Sequence, residues 1–458
     1  MNQIDRRAFL QAASVVSAGF LGLARASSVR GGPILTGPLG PLVPDPGGIL
    51  DLPDGFTYRV LSRVGDRMSD NLLVPGMPDG MAAFPGPDGL TILIRNHECE
   101  NADWSPSAFG PKYEMIDLVD RSLLFDAGYG KTPAHGGTTT IVYDTRTGRV
   151  RKEFLSLGGT HRNCAGGPTP WGSWLTCEES VQKKDAIHER DHGWVFEVPA
   201  STKIGLHKPE PIFDMGRFNH EAVAVDPGTG IVYLTEDRPD GLVYRFLPKE
   251  PGKMLAGGRL QMLAIVDQPG VDTRNHDAQR FKIGAPAQVR WIDCEDVRSP
   301  DDTLRTRGAG AGAAVFARGE GITWSQDGIY IVCTSGGRVQ RGQVWRYHPS
   351  KDEGSPEEAD RPGTIELFIE PNDASVVDMP DNCTVAPWGD LVLCEDGFEP
   401  NSYLVGVTKA GEVYKIARNA MSNREFAGAT FSPDGSTLFV NLQSEGVTLA
   451  IEGPWPKG

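Results

Sequence analysis

The feature that most constrains this chain is a recurring unit in which a tight turn feeds a short β-rich strand that stops at polar residues. It runs from Trp171 to Glu179, Gly230 to Asp237, Asp327 to Ser335, Trp388 to Asp396 and Asp434 to Asn441. Partner strands recur beside it, from Gly193 to Val198, Gly241 to Phe246 and Gly342 to Tyr347. A hairpin repeated five times with inserts of variable length predicts propeller blades, because each small sheet buries its faces only against neighbouring copies. The expectation is an all-β fold with little helix, a single β-propeller of six blades. A seven-bladed ring and a pair of β-sandwiches are the alternatives. Composition agrees: 56 Gly and 35 Pro in 458 residues suit many short strands joined by many turns. The best helical candidate is Tyr113 to Phe125.

The chain opens with Asp5-Arg6-Arg7-Ala8-Phe9-Leu10, a mildly apolar stretch to Ala24, and Ala24-Arg25-Ala26. A cationic start, an apolar segment and an A-x-A cleavage site in that order predict an export signal over residues 1–26. Paired arginines before Phe-Leu are the address read by the Tat export machinery. Such a segment is too short and too weakly apolar for stable membrane insertion, so the expected location is periplasmic or secreted. Residues 27–49 form a Gly- and Pro-rich extended lead-in, and 50–458 the propeller domain. No oligomerisation motif is visible, and a monomer is the default expectation.

The formal charge of −15 repels nucleic acid and anionic membranes. It would also repel a phosphate ester, unless the acids hold cations that reverse the local potential. Repeat symmetry supplies a place for them. If the turn-strand units are equivalent, the acids that end them, Glu178-Glu179, Glu236-Asp237 and Glu395-Asp396, converge at one mouth of the central channel. Carboxylates so close raise one another's pKa unless cations sit among them. Oxygen-rich clusters suit calcium, and a thiolate nearby brings in a transition metal. The seven cysteines are an odd number, so at least one is outside any intramolecular disulfide. Cys333 and Cys394 lie in apolar strand patterns as small hydrophobes. Cys164, in a polar Gly-rich setting, has the character of a ligand. Adjacent strand residues face opposite ways, so either Glu178 or Glu179 could be the ligand.

Several stretches resemble the PhoX-type alkaline phosphatases. The signature-like segment runs from Asn163-Cys164-Ala165-Gly166-Gly167 through Thr176-Cys177-Glu178-Glu179. Arg95-Asn96-His97-Glu98, Gly216 to Val223, Arg318-Gly319-Glu320-Gly321, Pro380-Asp381-Asn382 and Glu425 to Gly435 are similar too, and the likeness runs from about residue 50 to the end. The resemblance implies calcium and iron at the channel mouth and hydrolysis of small-molecule phosphate monoesters by a metal-activated oxygen, with no serine nucleophile. It implies Cys164 as thiolate ligand, with Glu179, Glu221 and Glu320 as carboxylate ligands. Glu98, Glu395 and Asp396 follow as outer ligands. Arg318, whose planar fork suits bidentate contact, would clamp phosphoryl oxygens, with Asn96 a further phosphate contact. Lys409 and Lys415 are possible second basic contacts, and His97 and His220 orient neighbouring groups. A binding propeller comparable to that of TolB, or a calcium-dependent lactonase or phytase, would have no use for Cys164.

Overall fold

The computed structural model describes residues 37–457 except Asp103 and Phe398, so the expected export signal lies outside the described residues. The chain is all-β and propeller-like. Twenty-six strands are hydrogen-bonded into five sheets, with one α-helix among the described residues, Leu304–Ala311. The segment Tyr113 to Phe125 is not that helix. It makes two 3-10 turns, Ile116–Leu118 and Arg121–Leu123. Its apolar side chains lack a helical stripe and pack instead, with Tyr113, Met115 and Ile116, on a cluster around Phe109 and Leu124. No helix among the described residues is long and apolar enough to cross a membrane.

The predicted units are the second strands of their sheets: Ser173–Glu178, Val232–Glu236, Gly328–Cys333, Leu391–Glu395 and Thr437–Leu442. They read clearly because they are buried throughout, which calls for an almost continuous apolar run. A sixth, Leu90–His97, follows the turn at Pro87–Gly89.

Each second strand pairs antiparallel with an innermost strand: Pro78–Pro85, Asn163–Pro168, His220–Val225, Gly319–Ser325, Pro380–Val385 or Phe426–Phe431. These six pack side by side in a closed cycle. The sheets around the third and fourth are joined into one of nine strands through Ala287–Asp293, which pairs with the outer strands Gly258–Ile265 and Thr364–Ile369. The cycle is closed by an early and a late strand, since Val447–Glu452 pairs with Thr57–Arg63. Within the lead-in, Leu42–Val43 forms edge structure on Leu50–Pro53, which in turn pairs with Val413–Asn419. The core lies between neighbouring sheets. Phe84, Ile92 and Ile94 of one meet Trp174, Trp194 and Phe196 of the next, and Tyr143 meets Phe439 where last joins first.

All seven cysteines are free thiols. Cys333 and Cys394 are fully buried in strands, as their apolar setting predicts.

Candidate metal centre

Every innermost strand carries a β-bulge near its start, where the pairing skips a residue: after Pro78, Asn163, His220, Gly319, Pro380 and Ala427. A bulge re-aims the side chains it carries. The first bulged residues are Asp79, Cys164, Glu221, Glu320, Asp381 and Gly428, so five of six equivalent positions bear a potential metal donor. The second are Gly80, Ala165, Ala222, Gly321, Asn382 and Ala429, which line a cavity of about 40 Å³ on the axis. The two glycines among them are a packing requirement. A Cβ on Gly80 would lie 2.5 Å from Ala165 Cα, and one on Gly321 2.6 Å from the Asp381 carbonyl oxygen. The channel is thereby nearly filled beneath the donors, giving them a floor.

Glu98, Glu179 and Asp396, each directly after a second strand, and Glu425, directly before Phe426–Phe431, complete the site. Among the described residues, four groups of three donors each have ligand atoms within 4.8 Å of one another: Asp79, Glu98 and Cys164; Cys164, Glu179 and Glu221; Glu221, Glu320 and Asp381; Asp381, Asp396 and Glu425. Cys164, Glu221 and Asp381 are shared, so the nine residues form one continuous cluster.

The electrostatics of the bare cluster are unfavourable for ionised acids. Burial, reinforced by neighbouring carboxylates, pushes Asp79, Glu179, Glu221, Glu320 and Glu425 well above the usual carboxyl range and Asp381 up to about 7. The Cys164 thiol is pushed up by burial and then by Asp79 and Glu221. It lies 3.2 Å from Glu221 Oε1 and 3.6 Å from Asp79 Oδ2. Glu221 Oε2 is buried with no hydrogen-bond partner, a lone carboxylate oxygen of the sort a cation satisfies. The donor set fits cations, with hard oxygens throughout and one soft sulfur in two of the four groups.

These raised values have a sign. The folded state holds protons that the unfolded chain releases, so metal-free protein should lose stability as pH rises from about 4 towards 7. The window runs from the ordinary Asp value of 3.8 to about 7 for Asp381. The slope reaches about 1.4 kcal/mol per pH unit for each proton titrating. Urea midpoints of chelated protein at pH 5 and pH 7.5 check this, and a higher midpoint at pH 7.5 contradicts it.

Of the sequence candidates, Cys164, Glu98, Glu179, Glu221, Glu320 and Asp396 are brought together, whereas Glu395 is not. Its carboxylate accepts from Lys415 Nζ at 2.8 Å and from the Asp378 and Tyr403 backbone N–H groups, because a strand's last residue faces away from the one after it. Glu178 occupies the same register and accepts from the N–H groups of His161, Gly193 and Trp194 and from His192. Alternation along the strand therefore brings Glu179, and not Glu178, into the cluster.

Asn96 is engaged within the fold. It is fully buried, and both ends of its amide are engaged. Nδ2 donates to the Cys164 and Ala165 carbonyls, and Oδ1 accepts from Trp174 Nε1 and Thr176 Oγ1. It braces the Cys164 bulge. Asn96→Ala should cost about 3 kcal/mol of stability by stranding buried partners, measurable by urea unfolding, with substrate KM unchanged below the transition.

Lys415 is spent on Glu395 and the Val376 carbonyl, and Lys409 pairs with Asp327. Neither reaches the cluster. His97 is fixed between the Gly76 carbonyl and Thr139 Oγ1. His220 is held by the Gly216 carbonyl and lies against the Phe218 ring at a tilt of 31° rather than bonded to Glu221. Arg318 is at the rim, donating twice to Asp237 and once to Glu320 Oε1 at 2.6 Å.

Sequence reasoning missed Asp79, Asp381 and Glu425 as donors, and Arg162, which pairs with Glu98 and Glu179. It also missed Gln443 and Asn382, whose amides orient Asp79, Glu98 and Asp381. A usable signal existed: an acid or thiol followed by a small residue, as in Asp79-Gly80, Cys164-Ala165, Glu221-Ala222 and Glu320-Gly321.

The family profile of alkaline phosphatase PhoX matches residues 37–446. The chain belongs to the PhoX family. It is therefore placed among metal-dependent phosphatases, the activity that the donor cluster suits. No curated relative matches the sequence. Among solved structures, Pseudomonas fluorescens PhoX in complex with vanadate, a transition state analogue, superposes with a TM-score of 0.63 at 18% identity. The match covers 89% of this chain and 96% of that one, and shows the shared fold. The gluconolactonase XC5397 of Xanthomonas campestris gives 0.41 at 13% identity over 91% of this chain and 98% of that one. A luciferin-regenerating enzyme gives 0.41 at 12% over 88% and 97%.

Proposed function

We propose that this PhoX-family chain hydrolyses phosphate monoesters at the mouth of a six-bladed propeller, with calcium and iron held by the nine-residue cluster. The six-blade reading rests on six bulged innermost strands, each followed by its own second strand, packed in one cycle.

The observation that carries the chemistry is the continuity of the donors, four overlapping triads of which two share one thiol. Iron suits the groups containing Cys164, and calcium suits the all-oxygen group Asp381, Asp396 and Glu425. When bound, the cations supply positive charge to phosphoryl oxygens and acidify water. The protein's own part is positioning. Gln443 Nε2 holds Asp79 Oδ2 at 2.5 Å and Glu98 Oε2 at 3.0 Å, while Asn382 Nδ2 holds Asp381 Oδ1 at 3.0 Å. Arg318, partly exposed at the rim, binds the phosphoryl oxygens, and the small residues of the axis keep solvent from approaching from below. The paired arginines near the N-terminus support export by the Tat route to the periplasm or beyond.

Elemental analysis of exported protein beside p-nitrophenyl phosphate hydrolysis tests the reading. Iron and calcium with turnover are expected, and a folded, metal-free, inactive protein overturns it.

A further inference from the structure

Arg162 and Arg318 occupy the same place in two of the six repeating units. Each stands two residues before the first bulged residue, Cys164 in one case and Glu320 in the other. Each has a left-handed backbone, with φ of 51° and 50°, a conformation non-glycine residues adopt only where surrounding structure imposes it. Each pairs with the acid that follows the second strand of the preceding unit: Arg162 with Glu98, Arg318 with Asp237. Each also takes one carboxylate of its own unit, Glu179 at 2.6 Å and Glu320 at 2.6 Å. The other four units carry Met77, Asn219, Met379 and Phe426 at this place, so the cations are specific to two positions on the rim.

Unlike most of the donors below them, the two side chains reach solvent, at 36% and 27% exposure. Their hydrogen-bonding capacity is not exhausted. A guanidinium has five N–H donors. Arg162 makes both of its bonds through Nη2, which leaves Nη1 and Nε without an acceptor among the described residues, and Arg318 likewise leaves Nη1. Unspent planar donors beside a cation-binding cluster, on its solvent side, are suited to an oxyanion.

The geometry points to Arg162 as a second phosphate-binding residue that, with Arg318, brackets the phosphoryl group from two separate units of the ring. This rests on the phosphatase reading and adds to it. Cations entering the cluster share Glu98 and Glu179 with Arg162, so its charge turns from neutralising acids to meeting substrate. A bracket of two guanidiniums favours the doubly charged phosphoryl group of a monoester over the singly charged group of a diester.

The test is calorimetric titration of inorganic phosphate into the metal-loaded protein, with metal content measured on the same samples, for wild type, Arg162→Met, Arg162→Lys and Arg318→Met. Removing a charged hydrogen-bonding partner from an oxyanion should weaken binding about tenfold or more. That is expected for Arg162→Met and Arg318→Met, with a smaller loss for Arg162→Lys, which keeps charge without the fork, and with metal content unchanged. Phosphate affinity in Arg162→Met within about twofold of wild type, beside a clear loss in Arg318→Met, overturns the assignment and leaves Arg162 a counter-ion. Loss of metal from both Arg162 variants also overturns it, placing the residue in support of the carboxylates. Wild type that binds its metals but no phosphate removes the phosphatase reading, and this inference with it.

Discussion

Cys164→Ala should lower kcat/KM for p-nitrophenyl phosphate by about a thousandfold or more and remove transition metal from the purified protein. Cys164 is the one thiol among the nine donors and is shared by two of the four groups, so a single truncation strips a ligand from each. Partners of metal ligands already cost 10- to 100-fold when lost, and a ligand itself costs more. Cys164→Ser sharpens the test, because a hydroxyl preserves size but does not ionise as a thiol does on a metal. Stability is a separate readout. The side chain is small, and its bulge is held independently by Asn96, so urea unfolding of the chelated variant should move by no more than about 1 kcal/mol. Full retention of iron and activity in Cys164→Ala would make the thiol a packing residue.

Stripping the cations should abolish activity and lower the thermal midpoint at pH 8 by about 10 °C or more. Each tightly held ion adds on the order of 4 kcal/mol to the folded state when its free concentration exceeds Kd a thousandfold. The uncovered cluster adds the penalty of buried like charges, which Arg162 and Arg318 meet only at the rim. Calorimetry of holo and chelated protein measures the difference. Restored midpoint and turnover on adding back iron and calcium would separate metal loss from irreversible damage. An unchanged midpoint would mean that the donors do not hold cations in solution.

Five of the six second strands were legible in the sequence and the innermost strands were not, for a physical reason. Segments such as Leu391–Glu395 are buried in the middle of a sheet and read as uninterrupted apolar runs. Asn163–Pro168 is NCAGGP and Gly319–Ser325 is GEGITWS. There the backbone must bulge, side chains must be small near the axis, and period-two alternation is lost. Asp79 and Asp381 stand in such strands and escaped notice as donors, although Cys164, Glu221 and Glu320 were reached by resemblance. Strand-end acids carried a real signal with one ambiguity. Glu178, Glu236 and Glu395 serve the backbone of their own sheets, while Glu179 and Asp396, one residue later, face the cluster. Asn96 shows the limit of residue type as a guide, since an amide in a suggestive motif is consumed by four neighbours within the fold.

The ring is clasped by an early and a late strand, and its donors run from Asp79 to Glu425. Convergence of the nine donors therefore depends on the pairing of Val447–Glu452 with Thr57–Arg63. Without the hairpin Thr437–Leu442 and Val447–Glu452 the sheet that joins Phe426–Phe431 to Thr57–Arg63 is interrupted, and the first and last sheets lose the link that sets their acids side by side. Cooperation between sheets far apart in sequence, and not any single local segment, is what brings the acids and the thiol together.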